Sequence, residues 1–177
     1  SDLVSRGFAA SAHAIGETAI RQLTSAFEKA DRQLEHTPDD AMPNCMRYRI
    51  DHCEFPAPDT LERIYELKPS VTIQPGYSWM DKRFMHSYER MLDKDMINQQ
   101  IPLHDFADAG VVLCGSSDAP VQTVDPFLQM RGMREFYIEE QSLSAFEALA
   151  TYTVNGGKML GENIGLLRVG YKANFFA

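Results

Sequence analysis

The chain has 177 residues, 44% of them hydrophobic and 24% charged, which is enough apolar material for a sizeable core and unlike a disordered or collagenous chain. Twenty-five acidic residues against 17 basic ones leave a net charge of −8, and no Lys/Arg cluster offsets it locally, which argues against nucleic acid as a partner. No apolar run approaches the roughly 18 to 20 residues of a membrane helix, and the first residues lack the basic and apolar regions of a signal peptide, so no membrane partner and a cytoplasmic location are expected.

In chain order, Gly7 to His13 reads as a first strand ending in a histidine, and Glu17 to about Leu34 as a helix. Its apolar Ala19, Ile20, Leu23, Ala26, Phe27 and Ala30 recur at three- and four-residue spacing. Tyr48-Arg49-Ile50-Asp51-His52 alternates as a second strand, again ending in a histidine. Thr60 to Leu67 repeats the helical pattern through Leu61, Ile64 and Tyr65, with Asp59 as the expected N-cap and Pro69 beyond the end. Ser70 to Gln74 is a β-branched strand closed by Pro75-Gly76. From Gly76 to about Gln100 no clear period emerges, and a loop of that length is expected to be functional or mobile. Leu103 to Ala109 reads as a short helix before a fourth strand, Val111 to Gly115, and the turn Ser116-Ser117-Asp118-Ala119-Pro120. Alternating strands and helices predict a parallel sheet with crossover helices.

The tail departs from that alternation. Ser144 and Glu147 predict a capping box for one helix carrying Phe146, Leu149, Ala150, Thr153 and Leu160 on one side and ending near Gly161. Ile164 to Phe175 then reads as two short strands turning at glycines.

Ligands of a parallel α/β sheet bind beyond the carboxyl ends of its strands, where His13, His52 and Asp118 all fall. Two imidazoles and a carboxylate are a donor set suited to zinc and its first-row neighbours. A single strand-end histidine is more often an ordinary hydrogen-bonded residue, so the residues alone leave both readings open. His36, His86 and His104 lie away from the strand ends. Strict alternation puts Tyr48 and Ile50 on the face of His52, toward the mouth of the site, with Arg49 and Asp51 toward the helices and Cys53 facing away. Cys45, Cys53 and Cys114 include no CxxC pair, which argues against disulfides and a thiolate zinc knuckle and fits a reducing compartment. Tyr77 and Trp79, after the third strand, are candidates to line a substrate pocket.

Five blocks, His13-Ala14-Ile15-Gly16-Glu17-Thr18-Ala19-Ile20, Arg49-Ile50-Asp51-His52, Ser116 to Val121, Tyr152-Thr153-Val154-Asn155-Gly156 and Ile164 to Phe175, occur in the order seen in the amidohydrolase superfamily. The chain most resembles that superfamily's amidohydrolase family 3 branch. The resemblance implies an α/β chain forming a partial (β/α)8 TIM barrel, strands five to eight, over 1–160, with 161–177 as the start of a composite β-sandwich. It implies hydrolysis of C–N bonds other than peptide bonds, in a small amide or cyclic amide, at a divalent metal, most simply zinc. His13, His52 and Asp118 then correspond to metal ligands, and Asp118 also takes the proton of the attacking water. A strand-one His-x-His pair and a strand-four bridging ligand have no counterpart here, so the chain reads as the C-terminal half of a larger enzyme, with an incomplete metal site and no activity alone. The alternative is a non-catalytic half-barrel that self-associates or serves as an assembly module.

Overall fold

A computed structural model describes residues 2–34, 42–76 and 82–175. His36, Tyr77 and Trp79 lie outside them. After a short helix α1 (Asp2–Ser5), strand β1 (Ala10–Ala14) leads into α2 (Glu17–Leu34), α3 (Asn44–Arg47) and β2 (Tyr48–His52). Helix α4 (Pro58–Leu67), β3 (Ser70–Ile73), α5 (Lys82–Met91), α6 (Lys94–Asn98), α7 (Leu103–Asp108) and β4 (Val112–Gly115) follow. Helix α8 (Pro126–Arg134), a 3-10 turn (Glu139–Gln141), α9 (Ala145–Tyr152) and α10 (Val154–Leu160) complete the described elements. The four strands lie parallel in the order β1-β2-β3-β4, each beside its sequence neighbour. Sequential order follows when every crossover helix packs on the same face.

That face holds the core. Tyr48 stacks on Phe27 of α2 with ring centroids 4.8 Å apart. Ile50, Val71, Ile73 and Leu113 are buried beside Tyr48 against Ile20, Ile64 and Phe106 from the helices. Burying each such side chain contributes about 1.5 to 3 kcal/mol. The opposite face carries Ser11, Arg49 and Asp51, with Arg49 Nε 3.0 Å from Asp51 and its Nη2 3.2 Å from Ser11 Oγ. Alternation therefore holds along β2, but Tyr48 and Ile50 face the helices and Arg49 and Asp51 the open side, the reverse of the sequence expectation.

Several local readings are also corrected. Helix α2 buries Ile20, Thr24, Phe27, Ala30 and Leu34, whereas Ala19 and Ala26 are exposed. Thr24 is tolerated inside because its hydroxyl donates to the Ile20 carbonyl at 2.8 Å. Helix α4 takes Ala57 as N-cap and Pro58 in its first turn. Proline's fixed φ suits that first position, so Asp59 sits one residue further in and pairs with Arg21 of α2 instead of capping. The aperiodic stretch 76–100 contains α5 and α6, the latter capped by Asp93, which accepts from Met96 N at 2.8 Å. Its helical signal is obscured because α6 buries none of its residues.

Ser144 and Glu147 form the expected capping box, but the helix they open breaks at Thr153, whose backbone (φ −128°, ψ −95°) is not helical. Its two halves bury Ala148, Thr151 and Gly157, the small face, while Phe146 is 86% exposed and Leu149 and Leu160 are exposed too. Small residues let these helices approach β4 closely, where Asn155 Nδ2 donates to the Leu113 carbonyl at 2.9 Å. After Gly161, whose positive φ of 66° ends α10, residues 162–175 contain no strand. That segment instead folds on itself, with Lys172 N bonded to the Asn163 carbonyl and Lys172 Nζ 2.5 Å from Glu162.

Candidate functional site

The carboxyl ends of β1, β2 and β4 bring together the three residues singled out in the sequence. His13 lies on the open face of β1 in register with Asp51. His52 ends β2 on the side of the sheet that would otherwise face the helices. Its φ of +77°, followed by +52° at Cys53, turns the backbone and swings the imidazole across to His13. The two rings stand edge to face, with centroids 4.4 Å apart. The turn does not cost the chain its pairing, because Cys53 N still donates to the Ala14 carbonyl at 2.9 Å and Phe55 N to Ile15 at 3.0 Å.

Asp118 reaches the same place from β4. Ser116 N extends the ladder to the Ile73 carbonyl (2.9 Å), and the chain then folds into a tight turn in which Val121 N bonds to the Asp118 carbonyl at 2.9 Å. Asp118 adopts a positive φ of 51°, a conformation aspartate tolerates better than most residues. Its Oδ2 lies 3.9 Å from His52 Nε2, and its side chain is 44% exposed, open to an incoming water or substrate.

Burial pushes the His52 imidazole below its ordinary range, with His13 acting in the same direction against the opposing pull of Asp118, Asp51 and a side-chain hydrogen bond with Gln74. A neutral ring is the form in which histidine donates to a metal. Gln74, buried at the end of β3, gives its Nε2 to Ser116 Oγ at 2.8 Å and so braces the β4 turn against β3.

A further carboxyl escaped the sequence reading. Glu54, two residues past His52, is buried, and its Oε1 lies 3.7 Å from His52 Nδ1. Its Oε2 accepts from the Tyr88 hydroxyl at 3.2 Å and from Gln100 Nε2 at 3.4 Å. Burial raises its pKa, and those two hydrogen bonds oppose the rise. The only sequence signal was an acidic residue inside the apolar run Cys53-Glu54-Phe55-Pro56. Cys53 itself is fully buried and its thiol is pushed up by desolvation, consistent with its exclusion as a ligand. His86 is exposed and His104 half-buried; they pair with Glu89 and Asp108, away from this cluster.

Among the described residues, no group of three or more His, Cys, Asp and Glu side chains is gathered closely enough to hold a metal ion. The donor chemistry nevertheless suits one wall of a metal shell. Two donors each about 2.0 to 2.2 Å from a tetrahedral ion stand roughly 3.5 Å apart, near the 3.9 Å between His52 Nε2 and Asp118 Oδ2. A cavity of about 240 Å³ beside Gly110, Val111 and Thr151 lies toward the other end of β4, so it is not an extension of this cluster.

A family model described as "Amidohydrolase family" matches residues 2–177. The chain is 26% identical over 182 residues to the Bacillus subtilis (strain 168) protein named "Putative amidohydrolase YtcJ", covering 96% of this chain and 32% of that protein. Among solved structures it is similar to an uncharacterized metal-dependent hydrolase from Pyrococcus furiosus, with TM-score 0.78, 25% identity, and coverage of 97% of this chain and 34% of that one. It also shares its fold with zinc-complexed atrazine chlorohydrolase TrzN from Arthrobacter aurescens TC1, at TM-score 0.58 and 15% identity, over 97% of this chain and 36% of that one. The chain thus spans about a third of the length of the proteins it matches.

Proposed function

The chain belongs to the amidohydrolase family, and from that premise we propose that it supplies one wall of a metal-dependent hydrolytic centre acting on a C–N bond other than a peptide bond, in a small amide or cyclic amide. The observation that carries the reading is the meeting of His13, His52 and Asp118 at the ends of parallel strands, with His52 turned out of strand alternation to get there. Within it, His13, His52 and Asp118 hold a divalent metal, zinc being the ion that two imidazoles and a carboxylate suit. Such an ion supplies Lewis acidity at the scissile carbonyl and makes the attacking water a stronger acid.

The chain's own residues manage the proton. Asp118 Oδ2, exposed and 3.9 Å from His52 Nε2, takes it from the attacking water and passes it to the leaving nitrogen, a base turned acid within one turnover. His52 stays neutral because its surroundings depress its pKa, and Gln74 and Ser116 hold the β4 turn that aims Asp118. Tyr77 and Trp79 belong to this proposal as substrate-lining residues on sequence grounds.

The sequential parallel order of β1 to β4 supports reading 1–160 as strands five to eight of a (β/α)8 barrel, with 161–177 beginning a composite β-sandwich by resemblance. The ligand set is then completed elsewhere in a protein of the relatives' length, and the 177-residue chain alone is inactive. A reducing, cytoplasmic setting accords with the three free cysteines. The test is zinc-dependent release of amine from a panel of N-acyl compounds, ureas and cyclic imides by a protein of that length carrying this chain. Activity that needs added zinc and is lost in Asp118→Asn supports the proposal, whereas zinc-independent activity or none on any C–N substrate overturns it.

One observation favours a second reading. Among the described residues, strand β1 pairs with β2 along one side only, and an unpaired strand edge invites another chain. A half-barrel that self-associates through that edge, or serves as an assembly module, would run as a dimer or larger in solution-mass measurements on the 177-residue chain; a monomer would exclude it.

A further inference from the structure

Helix α8 buries Gln129, Gly132 and Met133, a face made largely of a polar and a small residue. What that face receives is backbone. Pro75 and Gly76, at the exit of β3, lie across it: a Cβ on Gly132 would meet the Pro75 carbonyl oxygen at 3.3 Å, and one on Gly76 would fall 2.7 Å from Gln129 Oε1. Gln129 is fully buried, and both ends of its amide are engaged. Its Oε1 accepts from Gly76 N at 3.0 Å, and its Nε2 donates to the Thr123 carbonyl at 3.4 Å. Gly76 N can only donate and the Thr123 carbonyl can only accept, so the amide has one orientation. An apolar side chain would suit a helix face packed on a core; the glutamine instead satisfies two backbone groups that belong to different strand exits.

We infer that Gln129 is a positioning residue for substrate binding: it fixes the exit of β3 against the chain leaving β4, and so sets where the residues after Gly76 meet the substrate. The inference rests on the hydrolytic reading and on its assignment of Tyr77, the next residue, to the substrate. The bonds divide the labour. The turn that carries Asp118 is held without Gln129, by Gln74 Nε2 on Ser116 Oγ at 2.8 Å and by Val121 N on the Asp118 carbonyl at 2.9 Å. Gly76 N is held from α8 by Gln129. Loss of that acceptor therefore loosens binding while leaving the proton acceptor in place, an effect carried by KM and not by kcat.

Two variants separate the bond from the packing. Gln129→Met keeps the length of the side chain and removes the acceptor. Gln129→Glu keeps an oxygen for Gly76 N in either protonation state. In the metal-free 177-residue chain, hydrogen exchange followed by NMR should find the wild-type Gly76 amide slowed by about a hundredfold or more relative to an unfolded chain. Q129M should abolish that protection while the Cys53 and Phe55 amides, bonded to Ala14 and Ile15, keep theirs, and Q129E should retain it.

The second readout is steady-state kinetics in a protein of the relatives' length, with whichever N-acyl compound, urea or cyclic imide it hydrolyses. Q129M should raise KM by about tenfold with kcat changed by less than about threefold, and Q129E should bring KM back toward wild type. If Q129M does not fold, Gln129→Ala, which leaves room for water at Gly76 N, takes its place in both measurements. An unprotected Gly76 amide in the wild type overturns the inference, as does an unchanged KM in Q129M, a fall in kcat alone, or a Q129E variant no better than Q129M. Equally faster exchange at every amide in Q129M would make Gln129 a residue of general stability and overturn it too. Protection lost in Q129M and kept in Q129E, in a protein that hydrolyses no C–N substrate, would leave the Gly76 bond standing and refute the hydrolytic reading together with the role built on it; a working hydrolase whose KM is indifferent to Gln129 would refute the inference alone.

Discussion

Gly115 ends β4 immediately before the turn that carries Asp118, and the space where a side chain would begin is filled. A Cβ built there lands on the Tyr152 ring, 2.6 Å from Cζ and 2.8 Å from Cδ2, whereas carbon atoms pack at about 3.5 to 4.0 Å. Cε2 is nearer still, and relief requires the ring to move by about 1.5 Å, at the last residue of α9 and directly before the break at Thr153. Overpacking of this kind costs about 1 to 3 kcal/mol, offset by roughly 0.5 kcal/mol from the lower chain entropy of alanine in a strand. Gly115→Ala is therefore expected to destabilise by about 0.5 to 2.5 kcal/mol, centred near 1.5, in urea unfolding followed by circular dichroism. The cause is separable by a double-mutant cycle. Tyr152→Ala alone destabilises by removing a half-buried ring, but in that background Gly115→Ala should cost less than about 0.5 kcal/mol, a coupling well outside additivity. An equal penalty in both backgrounds would show that the ring does not occupy the position assigned to it.

Three further outcomes are expected. Asp118→Asn, measured in a protein of the relatives' length, should lower kcat by about two to four orders of magnitude, because it removes the proton acceptor and weakens one metal donor at once; near wild-type turnover would remove Asp118 from its role. Glu28 accepts two hydrogen bonds from Arg63, at 2.7 and 2.8 Å, which join α2 to α4 and hold its carboxyl below the usual range. Its contribution, on the order of 0.5 to 1 kcal/mol, is present above the ordinary carboxylate pKa of about 4.3 and lost as pH falls through the depressed value. Arg63→Ala should therefore flatten that part of the stability profile relative to wild type, and unchanged acid sensitivity would deny the pair any such role. Ser144→Ala breaks the capping box, in which Ser144 N donates to Glu147 at 2.8 Å and Glu147 N to Ser144 Oγ at 3.3 Å. Thermal unfolding should show a loss of about 1 kcal/mol, and no loss would mean that water caps α9 equally well.

The four strands were legible because each is a short apolar or β-branched run closed by a turn, and their strand-end histidines and aspartate pointed to the site. What alternation could not reveal was the positive φ of His52. Without that turn the ring belongs to the face of Tyr48 and Ile50, which is why those residues were assigned to the mouth and Arg49 and Asp51 to the helices. Helical faces were misread where the interior uses small or polar residues. Thr24, Ala148, Thr151 and Gly157 are buried while Phe146 and Leu160 are not, so apolar periodicity pointed to the wrong side of the last two helices. Glu54 escapes sequence patterning because its partners Tyr88 and Gln100, and Tyr137 behind Gln100, lie far from it along the chain, and no local pattern announces a polar cluster assembled only by folding.

The central claim, that His13, His52 and Asp118 form part of a metal centre, is tested most directly by elemental analysis of a purified protein of the relatives' length carrying this chain. The comparison is with its His13→Ala, His52→Ala and Asp118→Asn variants. Stoichiometric zinc or a neighbouring first-row metal in the wild type, with content falling sharply in His52→Ala and at least one of the other two, is the expected result. Full metal content in all three variants, or a wild-type protein that folds and takes up no metal, would contradict the account.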